Sequence, residues 1–147
     1  VLANPKMDDK VKSDAQIIVA RSAIQTNDES KARLAYAKLL TIAKGELAAE
    51  ALYYDAYFKN KDGKFEASNS TVQKLTKDYS GYKYFGAKGL ILMAKNFYGL
   101  KDSYQATYIL ENVIQNFTDY PDVVSEAKTE LNAIKTEEAK TNSSITK

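Results

Sequence analysis

The chain of 147 residues contains no cysteine and no histidine, and it has only two prolines and six glycines. Without cysteine there is no disulfide framework and no thiol chemistry, so cysteine usage leaves the redox compartment open. Without histidine, imidazole general bases and histidine-containing metal sites are excluded. No apolar run approaches the roughly 18 residues that a membrane span requires.

Strong net charge is also lacking. The 21 basic and 19 acidic residues give a formal net charge of +2, which is too balanced to indicate nucleic-acid binding from bulk charge. Apolar residues make up 44% of the chain, enough for one domain with a continuous core. The abundance of alanine, lysine, leucine and glutamate favours a helical protein.

The stretch 82–117 predicts two amphipathic helices joined by a tight turn. In its first half Leu90, Met93, Ala94 and Phe97 recur at i, i+3, i+4 and i+7, which places them on one face of a helix. Gly99 ends that helix, and the polar residues 101–103 supply a turn with capping side chains. In the second half the same spacing returns; its apolar residues are Ala106, Leu110, Val113, Ile114 and Phe117.

The rest of the chain contains partial copies of this stretch. Five sets of equivalent positions, which we call slots, are related by steps of 36 and then 38 residues: Ala20, Ala56 and Ala94; Ala32, Ser68 and Ala106; Tyr36, Val72 and Leu110; Leu39, Leu75 and Val113; Ala43, Tyr79 and Phe117. A period of this length is typical of a helical solenoid. The sequence therefore predicts helical hairpins at about 9–44, 46–79 and 82–117, a capping helix at 121–135, and a polar, disordered tail at 136–147.

The chain begins Val1-Leu2-Ala3, with neither an initiator methionine nor a signal peptide. We expect it to be a piece of a longer protein, with residues 1–3 forming the end of a preceding helix and with earlier repeats of the parent chain among its partners.

The pattern of residues 10–134 resembles the tetratricopeptide repeat family, whose unit is a helix-turn-helix of about 34 residues. The matching residues are Leu90, Met93, Ala94, Phe97, Ala106, Leu110 and Val113. The resemblance implies an all-α, right-handed α-solenoid of about three repeats plus a C-terminal capping helix, occupying residues 1–135. It also implies protein–protein scaffolding without catalysis.

A narrower resemblance covers 82–134, which is similar to the C-terminal end of large repeat proteins in the envelope of Bacteroidetes-type bacteria. It depends on the run 87–94, on Gln105-Ala106-Thr107 and on Glu126-Ala127-Lys128. This resemblance implies a cell-envelope or periplasmic location.

The eleven tyrosines are the most informative excess in the composition. Some of them are expected to pack in the core with the hydroxyl group reaching solvent. In a solenoid, the first helix of each pair lines the concave side. Resemblance to the family then selects a candidate groove that contacts a partner, formed by Arg21, Ile24, Tyr53, Tyr57, Lys88, Ile91, Lys95 and Tyr98.

The sequence thus favours a non-catalytic module that binds a peptide or a neighbouring protein in this groove. No cofactor, metal or nucleic acid is expected. An RNA-binding helical-repeat protein is the alternative, and it would need a basic groove. An enzyme accessory domain ranks last, because no constellation of Asp, Glu, Lys, Ser and Tyr suggests a catalytic site.

Overall fold

The computed structural model describes the backbone of residues 5–146 and the side chains of residues 8–142. This part of the chain forms α-helices and no strands, which confirms the all-α prediction. The helices are α1 Pro5–Gln25, α2 Glu29–Ile42, α3 Glu46–Lys61, α4 Phe65–Asp78, α5 Lys83–Gly99, α6 Ser103–Asn116 and α7 Pro121–Thr146. The helix end predicted at residues 1–3 lies outside the described residues.

The turns that close α1, α3 and α5 share one backbone conformation. Each contains a residue in the left-handed region: Asn27 with φ 59°, Gly63 with φ 76° and Lys101 with φ 69°. In each turn the next residue donates its N–H to a carbonyl five positions earlier, at 2.8 to 2.9 Å. This left-handed closure satisfies carbonyl groups at the end of a helix. The three residues are separated by 36 and then 38 positions, the same steps as in the sequence register.

Burial follows the same register. In four of the five sequence slots every residue is at most 2% exposed, whether it is alanine, serine, leucine, valine or tyrosine. The fifth slot, Ala43, Tyr79 and Phe117, is partly buried and supplies the C-terminal cap of α2, α4 and α6 respectively. Within these five slots, residues 36 and 38 positions apart therefore have matching burial.

The apolar core consists of three clusters, and each cluster joins a pair of helices to the first helix of the next pair. The first cluster is formed by α1, α2 and α3, the second by α3, α4 and α5, and the third by α5, α6 and α7. Because α3 and α5 each belong to two clusters, they are buried on two sides. Their solvent-exposed polar faces are therefore much narrower than that of an ordinary surface helix.

A buried polar network lies where α3, α4 and α5 meet. Asn96 is fully buried and donates to Ser68 Oγ at 2.8 Å and to Asn69 Oδ1 at 2.9 Å, while Asn60 donates to Asn96 Oδ1 at 2.8 Å. Ser68 in turn donates to the carbonyl of Ala56 at 2.7 Å. A buried amide is tolerated only when its donors and acceptor are satisfied, so this network ties the three helices together in one register.

Asp55 of α3 is also stabilised by partners, although the equivalent positions in α1 and α5 hold the apolar residues Val19 and Met93. Its carboxylate accepts from Lys59 Nζ at 2.8 Å, and the same ammonium group donates to Thr71 Oγ1 of α4 at 2.8 Å. A half-buried carboxylate is thus neutralised within the α3–α4 pair.

Two predicted boundaries are wrong. The final helix continues to Thr146, so the segment 136–147, predicted as a disordered tail, is helical as far as 146. Its polarity suggested disorder, but glutamate, alanine and lysine are strong helix formers, and no glycine or proline interrupts the run. At the other end, α1 starts at Pro5 instead of at about residue 9, because proline is tolerated in the first turn of a helix.

The shared turn predicts opposite effects at two equivalent positions. Lys101→Gly should stabilise the fold by about 0.5–1 kcal/mol. The substitution relieves the strain of a non-glycine residue at positive φ, and this gain exceeds the loss from the greater conformational entropy that glycine gives the unfolded chain. Gly63→Ala should cost about 1 kcal/mol; an added Cβ there meets no atom within 4 Å, so only backbone strain acts. Urea denaturation of both variants checks this. Destabilisation by Lys101→Gly would contradict the shared geometry.

Candidate functional site

A surface pocket of about 340 Å³ is lined by residues of α1, α2, α3 and α5, and we call it the tyrosine pocket. Four of the residues predicted for the groove line it: Arg21 and Ile24 from α1, Tyr53 from α3 and Lys88 from α5. Its other lining residues are Gln25, Tyr36, Glu50, Tyr54, Tyr84 and Phe85. Four tyrosines and a phenylalanine give this pocket an aromatic wall.

A buried carboxylate forms one side of the pocket. Glu50 is only 4% exposed, and it accepts from Arg21 Nε at 3.1 Å and Arg21 Nη2 at 2.7 Å. The Tyr36 hydroxyl donates to the same carboxylate at 2.8 Å. A buried charge is stable only when it is paired and hydrogen-bonded, so Glu50 joins α1, α2 and α3 at this point. Burial, and then the hydrogen bond to Glu50, raise the pKa of Tyr36 well above its ordinary range.

The aromatic rings form a continuous cluster from α2 to α5. Tyr36 and Tyr54 stack with ring centroids 4.3 Å apart, and Tyr53 meets Tyr54 edge to face at 5.0 Å. Tyr53 also approaches Phe85 of α5 at 6.3 Å. Burial raises the pKa of Tyr53 far above that of an exposed phenol. The rings are held by one another, so the wall of the pocket is preformed.

Lys88 is the cation on the opposite side of the pocket. Its Nζ lies 5.4 Å from the ring centroid of Tyr53 and 6.0 Å from that of Tyr84, within the range of cation–π attraction. The nearest carboxylate, Glu126 of α7, is at 3.8 Å, near the limit of an ion pair. Lys88 is therefore only weakly neutralised, and its ammonium group faces the pocket that it lines.

The structure brings together four of the eight residues predicted for the groove: Arg21, Ile24, Tyr53 and Lys88 all line the tyrosine pocket. Tyr57 lies beside the pocket, 6.3 Å from the Tyr53 ring and under the ammonium group of Lys61 at 5.6 Å.

The remaining three lie elsewhere. Ile91 was expected to face the groove, and this prediction is wrong: it is 1% exposed in the third core cluster, because α5 is packed on both sides. Lys95 pairs with Glu130 of α7 at 3.2 Å, and Tyr98 packs partly buried against the third cluster.

Sequence reasoning missed Glu50, Tyr36 and Tyr84 as parts of the site. Glu50 did give a signal, since it is the only charged residue in the apolar stretch 47–54. A lone carboxylate in such a stretch needs a partner. The identity of that partner depends on contacts 14 and 29 positions apart, to Tyr36 and Arg21, which no local pattern indicates.

Comparison of the chain with known protein families gives no match, and comparison with curated proteins gives none either. Among the residues that the structure describes, no group of three or more acidic side chains is arranged to hold a metal ion. The described helices also include none long and apolar enough to cross a bilayer.

The rim of the pocket predicts an alkaline sensitivity. The Tyr84 hydroxyl donates to Asp122 Oδ2 at 2.7 Å, and this bond, with some burial, raises the pKa of Tyr84 to about 12. An unfolded tyrosine ionises near 10, so stability should be full below pH 10 and fall as the pH rises towards 12. Tyr84→Phe should reduce this loss of stability: between pH 8 and pH 11 the free energy of unfolding should fall by about 1 kcal/mol less than in the natural chain, after discounting for solvent screening.

Urea denaturation of the natural chain and of Tyr84→Phe at pH 8, 10 and 11 measures this difference. Asp122→Asn is the matched control, because it removes the charge that stabilises the protonated hydroxyl and should reduce the slope in the same direction. Identical slopes for the natural chain and Tyr84→Phe would contradict the assignment.

Proposed function

We propose that this chain is a non-catalytic interaction module that binds an extended peptide carrying an acidic residue in the tyrosine pocket. In this proposal the helices form a right-handed α-solenoid of the tetratricopeptide type, with α7 as its cap. The observation that carries the proposal is the pocket itself, in which a preformed aromatic wall stands beside a weakly neutralised lysine.

The order of helix contacts supports the solenoid. Each helix packs against the next, and α3 also contacts α5, and α5 contacts α7. No comparable contact joins α2 to α4 or α4 to α6 in the described part of the chain. From α3 onwards the first helices are therefore closer together than the second helices, whereas α1 and α3 lack comparable contact in the described part of the chain. A stack with one layer more closely spaced than the other curves towards the closer layer, and the tyrosine pocket lies on that side.

The charges of the pocket favour an acidic ligand. The lining residues include two cations, Arg21 and Lys88, and one carboxylate, Glu50, while Glu126 of α7 lies 3.8 Å from Lys88 outside the lining. The Arg21 side chain is 55% exposed, so its guanidinium group remains accessible beside the Glu50 pair. Aromatic rings supply apolar contact area at little entropic cost, while the two cations orient a ligand carboxylate.

The distribution of lysines favours a peptide over RNA. Lys88 and Lys95, which would have to contact phosphates along the inner layer, both face carboxylates of α7, Glu126 and Glu130. A nucleic-acid groove needs a continuous row of unneutralised cations. The carboxylates of α7 interrupt such a row.

Selection of binders from a phage-displayed library of random short peptides, followed by fluorescence anisotropy, tests the proposal. Selected peptides should be enriched in acidic and apolar residues, and Lys88→Gln should weaken their binding about tenfold, or about 1.4 kcal/mol. We choose Lys88 because substitution of Arg21 or Tyr53 would expose or unpair buried groups.

Lys95→Gln is the matched control, since Lys95 lies on the same helix and also pairs with α7, but outside the pocket. It should change the affinity less than twofold. A library without binders, or binders that respond equally to both variants, would count against the pocket as the binding site.

A further inference from the structure

An exposed apolar stripe runs along α1 on the side away from the rest of the protein. Ile18 is 70% exposed and Val11 is 61% exposed, and the exposed Ala15 lies between them. These residues have the spacing i, i+4 and i+7, so they form one helical face. The principal neighbour of α1 is α2, which packs against a different face.

The register shows what covers this face in the other first helices. Steps of 36 residues lead from Val11, Ala15 and Ile18 to Leu47, Ala51 and Tyr54 of α3. In α3 these three residues belong to or pack against the first core cluster, which α2 completes with its buried residues.

The same relation holds one pair further along. Steps of 38 residues lead to Phe85, Gly89 and Leu92 of α5, and this face meets α4. A Cβ added at Gly89 would lie 3.2 Å from Leu75 and 3.3 Å from Val72 of α4, so the two helices approach closely there. Both equivalents of the α1 stripe are thus covered by the second helix of the preceding pair.

We propose that the stripe of Val11, Ala15 and Ile18 is the docking surface for the second helix of a further α-hairpin, placed on α1 as α2 is placed on α3. The docking helix presents branched aliphatic side chains at i and i+3, as α4 does with Val72 and Leu75. This inference rests on the proposed stacking of the hairpins, but it is independent of peptide binding in the tyrosine pocket.

The opposite end of the molecule shows why a second copy stacked head to tail does not fit. On α5, the face towards its own partner α6 carries Leu90, Ala94 and Phe97. Residues 38 positions further along the chain are Lys128, Asn132 and Lys135 of α7. All three α7 residues are exposed and polar. Burying two lysines and an asparagine against the apolar stripe would remove them from water, and the stripe has no side-chain hydrogen-bonding group to replace it, so the occupant is a different helix.

The test uses an extended chain in which a copy of residues 46–82 replaces residues 1–8, directly before Asp9. This junction repeats the native step from residue 82 to residue 83, and it places the copied α4 over the stripe. In the extended chain Ile18→Glu should lower the melting temperature by about 5 °C or more, because the charge enters an interface. In the natural chain the same substitution should change it by less than about 2 °C.

Leu34→Glu is the matched control, because Leu34 is 67% exposed on α2 and lies outside the stripe. It should have a small effect in both chains. An equally small effect of Ile18→Glu in the extended chain, including the case in which the added hairpin does not fold, would overturn the proposal. So would a dimer of the natural chain in light scattering that Ile18→Glu dissociates, since a second copy would then occupy the face. Peptide affinity at the tyrosine pocket, measured on the same variants, reports separately on the proposed function.

Discussion

The structure depends on the double burial of α3 and α5. Each of these helices completes one core cluster with the pair before it and begins another with its own pair, so Ala51 and Ala56 of one helix belong to different clusters. A single α-hairpin buries only one side of its helices, and the neighbouring hairpin must cover the other. The tyrosine pocket is lined by residues of both doubly buried helices and of α1 and α2.

Double burial determines the chemistry of these helices as well as their packing. Polar residues on the packed sides of α3 and α5 are shielded from water, and the two buried examples, Glu50 and Asn96, are hydrogen-bonded by residues of neighbouring helices. Such groups contribute specificity, because a shifted register would leave them unpaired. Glu50 has a second consequence: it holds Arg21 and Tyr36 at the edge of the aromatic wall, and thereby links the fold to the candidate site.

Much of the fold could be predicted from the sequence, because the second helices are amphipathic and their small and large residues recur in register. The first helices were harder, since a helix buried on both sides is apolar beyond a single stripe. The family resemblance assigned Ile91, which lies off the stripe of Leu90, Met93, Ala94 and Phe97, to the groove, although it is 1% exposed. Arg21, Ile24, Tyr53 and Lys88, which were assigned to a groove, line one pocket, and their role in binding stays a prediction. Their partners Glu50 and Tyr84 were missed, because contacts between distant residues leave no local pattern. The helical segment 136–146 was missed because polarity was given more weight than helix propensity.

Native-state hydrogen exchange in increasing denaturant tests most directly whether the hairpins are coupled through α3 and α5. The account predicts that the central amides of these two helices exchange only through global unfolding, with the same free energy of opening. The outer part of α7 and the first turns of α1 should exchange at lower free energy. Three separate opening free energies, one for each hairpin, would contradict the account, because the hairpins would then be stable without shared helices.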